Sequence, residues 1–217
     1  MDFLTKKDSY NVFLPKALHY IIKNDTINDI SKERKMEFIE RIDFLILDFI
    51  HENLSCKALD ILMTIVSQLG NRGFIWIAAA AILFMIPKYN RCAATIVSGI
   101  AAGAFVGNLL LKNLIARQRP CWINDELELL IAVPQDLSFP SGHTLSAFAA
   151  AVVAMHFDKK IGAALYVFAV LTAFSRLYLY VHFPTDVIAG ALIGAAVGIA
   201  VSKLSDSIAE RYSMRNS

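Results

Sequence analysis

The chain has 217 residues, 56% hydrophobic and 18% charged, with a mean hydropathy of +0.51 and a formal net charge of +2. That balance speaks for a membrane protein and against a soluble domain, and the small net charge speaks against a nucleic-acid binder. Cys56, Cys92 and Cys121 show no paired spacing, so they read as free thiols and not as a disulfide framework or zinc site.

Residues 1 to about 40 are polar and rich in Lys, Asn and Asp, with a weakly amphipathic stretch from Val12 to Ile22 and no apolar core of a cleavable signal. Apolar and acidic residues mix from Ile42 to Ile50, which predicts a helix lying on the membrane surface. Leu59 to Leu69 is apolar but too short to cross about 30 Å of hydrocarbon at about 1.5 Å per residue. Gly70-Asn71-Arg72-Gly73 then interrupts the pattern.

Clearer spans follow at Phe74 to Ile86, Cys92 to Leu111, Gly142 to Phe157, Ile161 to Tyr180 and Val187 to Val201. The predicted fold is an all-α integral membrane bundle of five to six transmembrane helices. It divides into a polar extension with its interfacial helix (1–54), a transmembrane domain (55–205) and a polar tail (206–217). Gly99, Gly103 and Gly107 recur every four residues, as do Gly190, Gly194 and Gly198. Each run puts small residues on one helix face and predicts close helix packing.

Alternating the spans brings Lys112, Arg119, His143 and His182 to one membrane face. Lys88, Arg91, Lys159, Lys160, Lys203, Arg211 and Arg215 fall at the other. Excess Lys and Arg marks the cytoplasmic side, so the first group is expected to face outward. The basic N-terminal region pulls Met1 inward, which needs one more crossing before Phe74, and residues 58–70 are a poor candidate for it.

Charged residues near a bilayer are costly and usually functional. Arg119 and Arg176 offer permanently charged, planar forks for phosphate oxygens, and Lys112 a point charge. Ser141 and Gly142 sit where a loop becomes a helix, so their backbone N–H groups and the Ser hydroxyl are expected to face an anion. A neutral imidazole attacks phosphorus when its other nitrogen has a partner to set its tautomer, and His182 with Asp186 four residues on fits that need. A second histidine, His143, is the expected proton donor to the leaving group and then the base for water. His156 is thirteen residues further along the same helix, at the opposite face, and His19 and His51 lie in the polar N-terminal part; none receives a role. Arg117 reads as a snorkelling or topology residue, and Asp125, Glu126 and Glu128 as a solvated loop face. No HExxH or paired-Asp spacing calls for a metal, and no cofactor is expected.

Lys112 followed after six residues by Arg119-Pro120, then Pro140-Ser141-Gly142-His143, then Ser175-Arg176, five residues, His182, three residues and Asp186 form an ordered set. Over residues 55–205 it resembles the three-part signature of the type 2 phosphatidic acid phosphatase superfamily, with no motif position departing from it. The resemblance implies a helical bundle with its site near the membrane-water boundary. It implies His182 as nucleophile, Asp186 as its orienting partner, His143 as acid and base, and Lys112, Arg119, Ser141, Gly142 and Arg176 as phosphate ligands.

The expected activity is metal-independent hydrolysis of a lipid phosphate or diphosphate through a phospho-histidine, in a bacterial plasma membrane with an outward-facing site. Undecaprenyl diphosphate is the favoured substrate, with phosphatidylglycerophosphate and phosphatidic acid as rivals. The soluble vanadium haloperoxidases of the same superfamily are disfavoured by the hydrophobicity. A phosphotransferase of the same fold is a further alternative. A non-catalytic carrier would spread its charges through the membrane depth, whereas here they gather at one face.

Overall fold

The computed structural model describes residues 38–216. His19 and the stretch from Val12 to Ile22 lie outside them. The chain separates into two compact units, Met1–Ile42 and Asp43–Ser217. Of the first, residues 38–42 are described and are helical.

The second unit begins with α1, helical through residues 43–54 and amphipathic: Asp43, Leu47 and Ile50 are buried while Leu45, Ile46 and Phe49 are exposed. A helix is therefore present where one was expected. The short segment expected at 59–69 is α2, Lys57–Leu69; a turn of 3-10 helix at Asn71–Gly73 leads to α3, Phe74–Phe84. Gly73 takes a positive φ of 73°, which a side chain would resist. The two helices meet at 61°. Residues 58–70 therefore do not stand as a separate crossing: α2 and α3 together form one broken apolar segment.

A longer helical stretch follows. Pro87–Tyr89 opens it, α4 is Asn90–Ala104, a π-helical turn covers Phe105–Leu111, and α5 is Lys112–Ile115. Ala116, with φ of 50°, ends it, and Pro120 begins the one-turn α6, Pro120–Ile123. π turns cluster at functional sites because they rotate the following side chains off the regular helical face; here Lys112 follows directly.

α7, Gly142–Phe157, starts at Ser141, whose hydroxyl oxygen accepts from Thr144 N. α8, Lys159–Tyr178, starts at Asp158, whose carboxylate accepts from Lys160 N at 2.9 Å and Ile161 N at 3.2 Å. α9, Pro184–Asn216, stays helical through the stretch read as a polar tail. Among the described residues, three helical segments are long and apolar enough to cross a membrane: Pro87–Ile123, Lys159–Tyr178 and Pro184–Asn216. The bent α2–α3 pair makes a fourth, and α7 is a shorter apolar helix of 16 residues.

α7 is the centre, packed by α4, α8 and α9. It is apolar all round and small-residue rich, as a helix with no lipid- or water-facing side should be; Ala147, Ala149, Ala150, Ala151, Val153 and Ala154 are fully buried. Both glycine runs pack on it. A Cβ at Gly103 or Gly107 would meet the Leu145 side chain, and one at Gly190, Gly194 or Gly198 would meet the α7 backbone at Ser141, Leu145 or Ala149. The outer faces carry exposed Phe74, Ile82, Val97, Val167, Leu192 and Ile199, as expected of surfaces solvated by lipid.

Candidate active site

One cavity of about 1090 Å³ opens at the end of the bundle where α7 and α9 begin. Lys112, Arg119, Gly142, His143, Arg176 and His182 all line it. Residues far apart in the chain reach it because α5, α6, α7, α8 and the turn before α9 all end or start there.

His182 sits in the short turn between α8 and α9 and is 1% exposed. Its Nε2 lies 3.0 Å from Arg119 Nη1. A guanidinium only donates, so Nε2 holds a lone pair and Nδ1 the proton. Nδ1 faces Asp186 Oδ2 at 3.6 Å and Ser138 Oγ at 3.4 Å. The Asp186 distance exceeds a hydrogen bond; the carboxylate faces the imidazole but is held by other donors. Its Oδ2 accepts from Phe183 N at 2.9 Å and from the Ser138 hydroxyl, and its Oδ1 from Arg117 Nη1 at 2.8 Å. Burial, then Arg119, Arg176 and Lys112, push the His182 pKa well below the ordinary histidine value of 6.5. The ring is therefore neutral at neutral pH, and its Nε2 lone pair becomes available to attack once the Arg119 guanidinium turns to a phosphate oxygen.

Arg119 is buried and multiply held, donating to the carbonyls of Asp136 and Val181, each at 2.6 Å, and to Asp136 Oδ1 at 2.7 Å. Lys112 pairs with the other oxygen of Asp136. Burial would raise the Asp136 pKa, but the Lys112 hydrogen bond and the charges of Arg119 and Lys112 outweigh it and bring it down to about 2. Asp136 is thus an anion between two of the three cavity cations. Arg176, on α8, is 3% exposed and donates to Ser67 Oγ of α2, while its Nε has no partner among the described residues. His143, in the first turn of α7, also has its Nε2 unpartnered among the described residues. Arg176 Nε, a donor, and His143 Nε2 thus keep hydrogen-bonding capacity that a phosphate in the cavity would use.

Ser141 departs from expectation. Its backbone N–H donates to the Asp186 carbonyl at 3.1 Å, its hydroxyl oxygen accepts from Thr144 Oγ1 at 3.0 Å, and the residue is fully buried behind the cavity wall. Its N–H fits a brace between the starts of α7 and α9, leaving the Gly142 and His143 N–H groups at the start of α7 for an anion.

Arg117 is the clearest correction. It does not snorkel: its side chain is 21% exposed, bridges Asp43 Oδ2 at 2.7 Å and Asp186 Oδ1 at 2.8 Å, and stacks on the Phe183 ring with its carbon 3.9 Å from the centroid. Asp136 and Ser138 were also missed. The 121–140 loop carries several polar residues, and sequence alone has no signal that picks out these two. His156 pairs with Asp206 at 2.9 Å near the far ends of α7 and α9, and His51 lies edge-on to Tyr180 with centroids 6.0 Å apart. Among the described residues no three His, Cys, Asp or Glu gather as a metal-binding group.

The sequence profile of the PAP2 superfamily matches residues 92–208. The chain is similar to an undecaprenyl-diphosphatase of Sulfolobus acidocaldarius, 34% identical over 62% of this chain and 65% of that protein. It is similar to undecaprenyl-diphosphatase BcrC of Bacillus subtilis, 33% identical over 51% of this chain and 55% of that one. It thus spans less than two thirds of the length of either. A decaprenylphosphoryl-5-phosphoribose phosphatase of Mycobacterium tuberculosis is 36% identical over 64% of this chain and 76% of that one. Among solved structures, a transmembrane PAP2-type phosphatidylglycerolphosphate phosphatase of Bacillus subtilis superposes with a TM-score of 0.64 at 26% identity, covering 78% of this chain and 87% of that one. Aquifex aeolicus LpxE gives 0.56 at 30% identity, covering 74% and 94%.

Proposed function

Because the chain belongs to the PAP2 superfamily, an all-helical membrane fold, we propose that it hydrolyses a lipid phosphate or diphosphate through a phospho-histidine. The observation that carries this is the His182 Nε2 lone pair, held 3.0 Å from a buried arginine on the wall of a three-cation cavity. Phosphate oxygens lie among Lys112, Arg119, Arg176 and the first N–H groups of α7, with Asp136 displaced from between the cations. His182 Nε2 attacks phosphorus; the bond from phosphorus to the leaving oxygen breaks, and His143, which takes up a proton with the anionic substrate as that anion offsets the cavity cations, delivers it to that oxygen. Asp186 steadies the positive charge that grows on the imidazole. His143, now neutral, takes a proton from water, whose oxygen attacks the phospho-histidine and releases phosphate while His182 returns to its neutral state. The protein's own cations supply the charge stabilisation, so no metal is invoked.

The likeness to two undecaprenyl-diphosphatases supports undecaprenyl diphosphate as substrate. The decaprenylphosphoryl-5-phosphoribose phosphatase and the phosphatidylglycerolphosphate phosphatase keep other lipid phosphates in contention. We further read α7 as a crossing, which with the broken α2–α3 segment makes five. The site then opens outward, and the Lys- and Arg-bearing ends at 87–91 and 158–160 lie inside. Residues 43–54 rest on the outer surface as an interfacial helix.

The test is phosphate release in detergent from undecaprenyl diphosphate, phosphatidylglycerophosphate and phosphatidic acid, with and without EDTA. Turnover that survives EDTA and vanishes in His182→Ala is expected, fastest on the first lipid. Loss in EDTA restored by magnesium, or full activity of His182→Ala, overturns the mechanism.

A further inference from the structure

Arg117 is absent from the cavity wall, yet it is held between two buried carboxylates from opposite ends of the chain. Asp43 of α1 is 1% exposed and Asp186 of α9 is fully buried. Asp43 also accepts from Thr185 N at 3.0 Å and from the Thr185 hydroxyl, the residue beside Asp186. The Phe183 ring closes the other side of the guanidinium at 3.9 Å. Asp43 lies outside residues 92–208, the span that matches the superfamily.

We propose that Asp43 and Arg117 are positioning residues for the nucleophile: α1 supplies a carboxylate that sets, through Arg117, the geometry and net charge of the Asp186 carboxylate facing His182. The inference rests on the reading of His182 as nucleophile and Asp186 as its partner. Asp186 turns Oδ2 toward His182 only while Oδ1 has a donor, because a buried carboxylate oxygen without one is costly. Arg117 is that donor. Arg117 alone on Asp186 would cancel the charge that His182 needs as it becomes cationic. Asp43 takes up part of the guanidinium charge, so the two carboxylates and one cation together keep a net negative charge beside the imidazole. The guanidinium's planar fork makes both bonds at once, which a lysine cannot do.

The experiment uses the full chain in detergent and the best-hydrolysed lipid of the panel above. Asp43→Asn keeps shape and removes the charge. Its kcat should fall about 10- to 100-fold, the range a small misplacement of reacting groups costs, with KM changed less than about 3-fold. Inhibition by vanadate, which mimics the five-coordinate phosphorus, should weaken in parallel with kcat, while inhibition by inorganic phosphate holds. Asp43→Glu should recover most of the rate. Asp43→Asn combined with Arg117→Gln should be no worse than Arg117→Gln alone, because both act on one group. If Asp43→Asn does not fold, Arg117→Lys takes its place with the same expected split. A folded variant with wild-type kcat overturns the proposal, as does a loss confined to KM and phosphate inhibition. Wild-type activity in His182→Ala overturns instead the mechanism beneath it.

Discussion

Gly194→Ala tests how packing far from the phosphate sets the chemistry. A Cβ at Gly194 would lie 2.4 Å from the Leu145 carbonyl oxygen, 3.1 Å from its carbon and 3.2 Å from Ala149 N. All three are backbone atoms of α7, so no side chain can rotate away. Reaching an ordinary contact of 3.4 Å requires α9 to move off α7 by about 1 Å. Overpacking of that kind costs about 1–3 kcal/mol. The same movement separates His143, in the first turn of α7, from Asp186, in the first turn of α9, and strains the Ser141 N to Asp186 O bond of 3.1 Å that ties the two starts. A displacement near 1 Å at reacting groups lowers the rate up to about 100-fold. Gly99→Ala is the control, because a Cβ there meets a Val201 methyl at an ordinary 3.4 Å. Thermal unfolding in detergent and kcat for phosphate release should both fall in Gly194→Ala and stay near wild type in Gly99→Ala. Equal effects of the two substitutions would refute the argument that α9 approaches the α7 backbone too closely for a side chain.

Other outcomes follow from the site. His182 has its pKa held well below 6.5 by burial and then by Arg119, Arg176 and Lys112; the nucleophile is lost only when pH falls through that lowered value. The acidic limb of the pH profile of kcat/KM should therefore lie below pH 6.5, and a limb centred at 7 or above would contradict a pre-deprotonated nucleophile. His143→Ala should abolish turnover, whereas His156→Ala, which loses contacts to Asp206 and the Phe157 ring at the far end of the bundle, should stay within about 2-fold of wild type. A cysteine placed at Asn124 in a Cys121→Ser background should react with an impermeant thiol reagent in intact cells, and one at Lys160 only after lysis. The reverse labelling would put the site inside.

Much of this was readable without coordinates, for a definite physical reason. The longest spans declare themselves because lipid demands long apolar runs, although three or four of the five to six expected are long enough by themselves among the described residues. The four-residue glycine spacing declares a packing face because a helix repeats every 3.6 residues. Phosphate chemistry needs cations and imidazoles, and these stand out against a chain that is only 18% charged. The gathering of Lys112, Arg119, His143 and His182 on one cavity was anticipated by alternating the spans; Arg176 stands out in sequence as a charge in an apolar stretch, and the fold brings it to the same wall.

What the tertiary structure alone decided was which neighbours each polar group meets. The interruption at Gly70 to Gly73 was visible in sequence, but its 61° angle and the approach of Gly70 to His143 and Thr172, side chains at least 70 residues away, were not. Arg117 reads in sequence like any arginine at a membrane edge; its role appears only when α1 delivers Asp43 and α9 delivers Asp186 to the same guanidinium. The Ser141 N–H reads in sequence as an anion donor, and the close approach of α9 claims it for the Asp186 carbonyl. Asp136 and Ser138 lie in a loop without periodicity, so only the folded path of that loop brings them to Lys112, Arg119 and Asp186. Periodicity and composition are local properties of a chain, whereas the partner of a buried charge is set by the packing of distant segments.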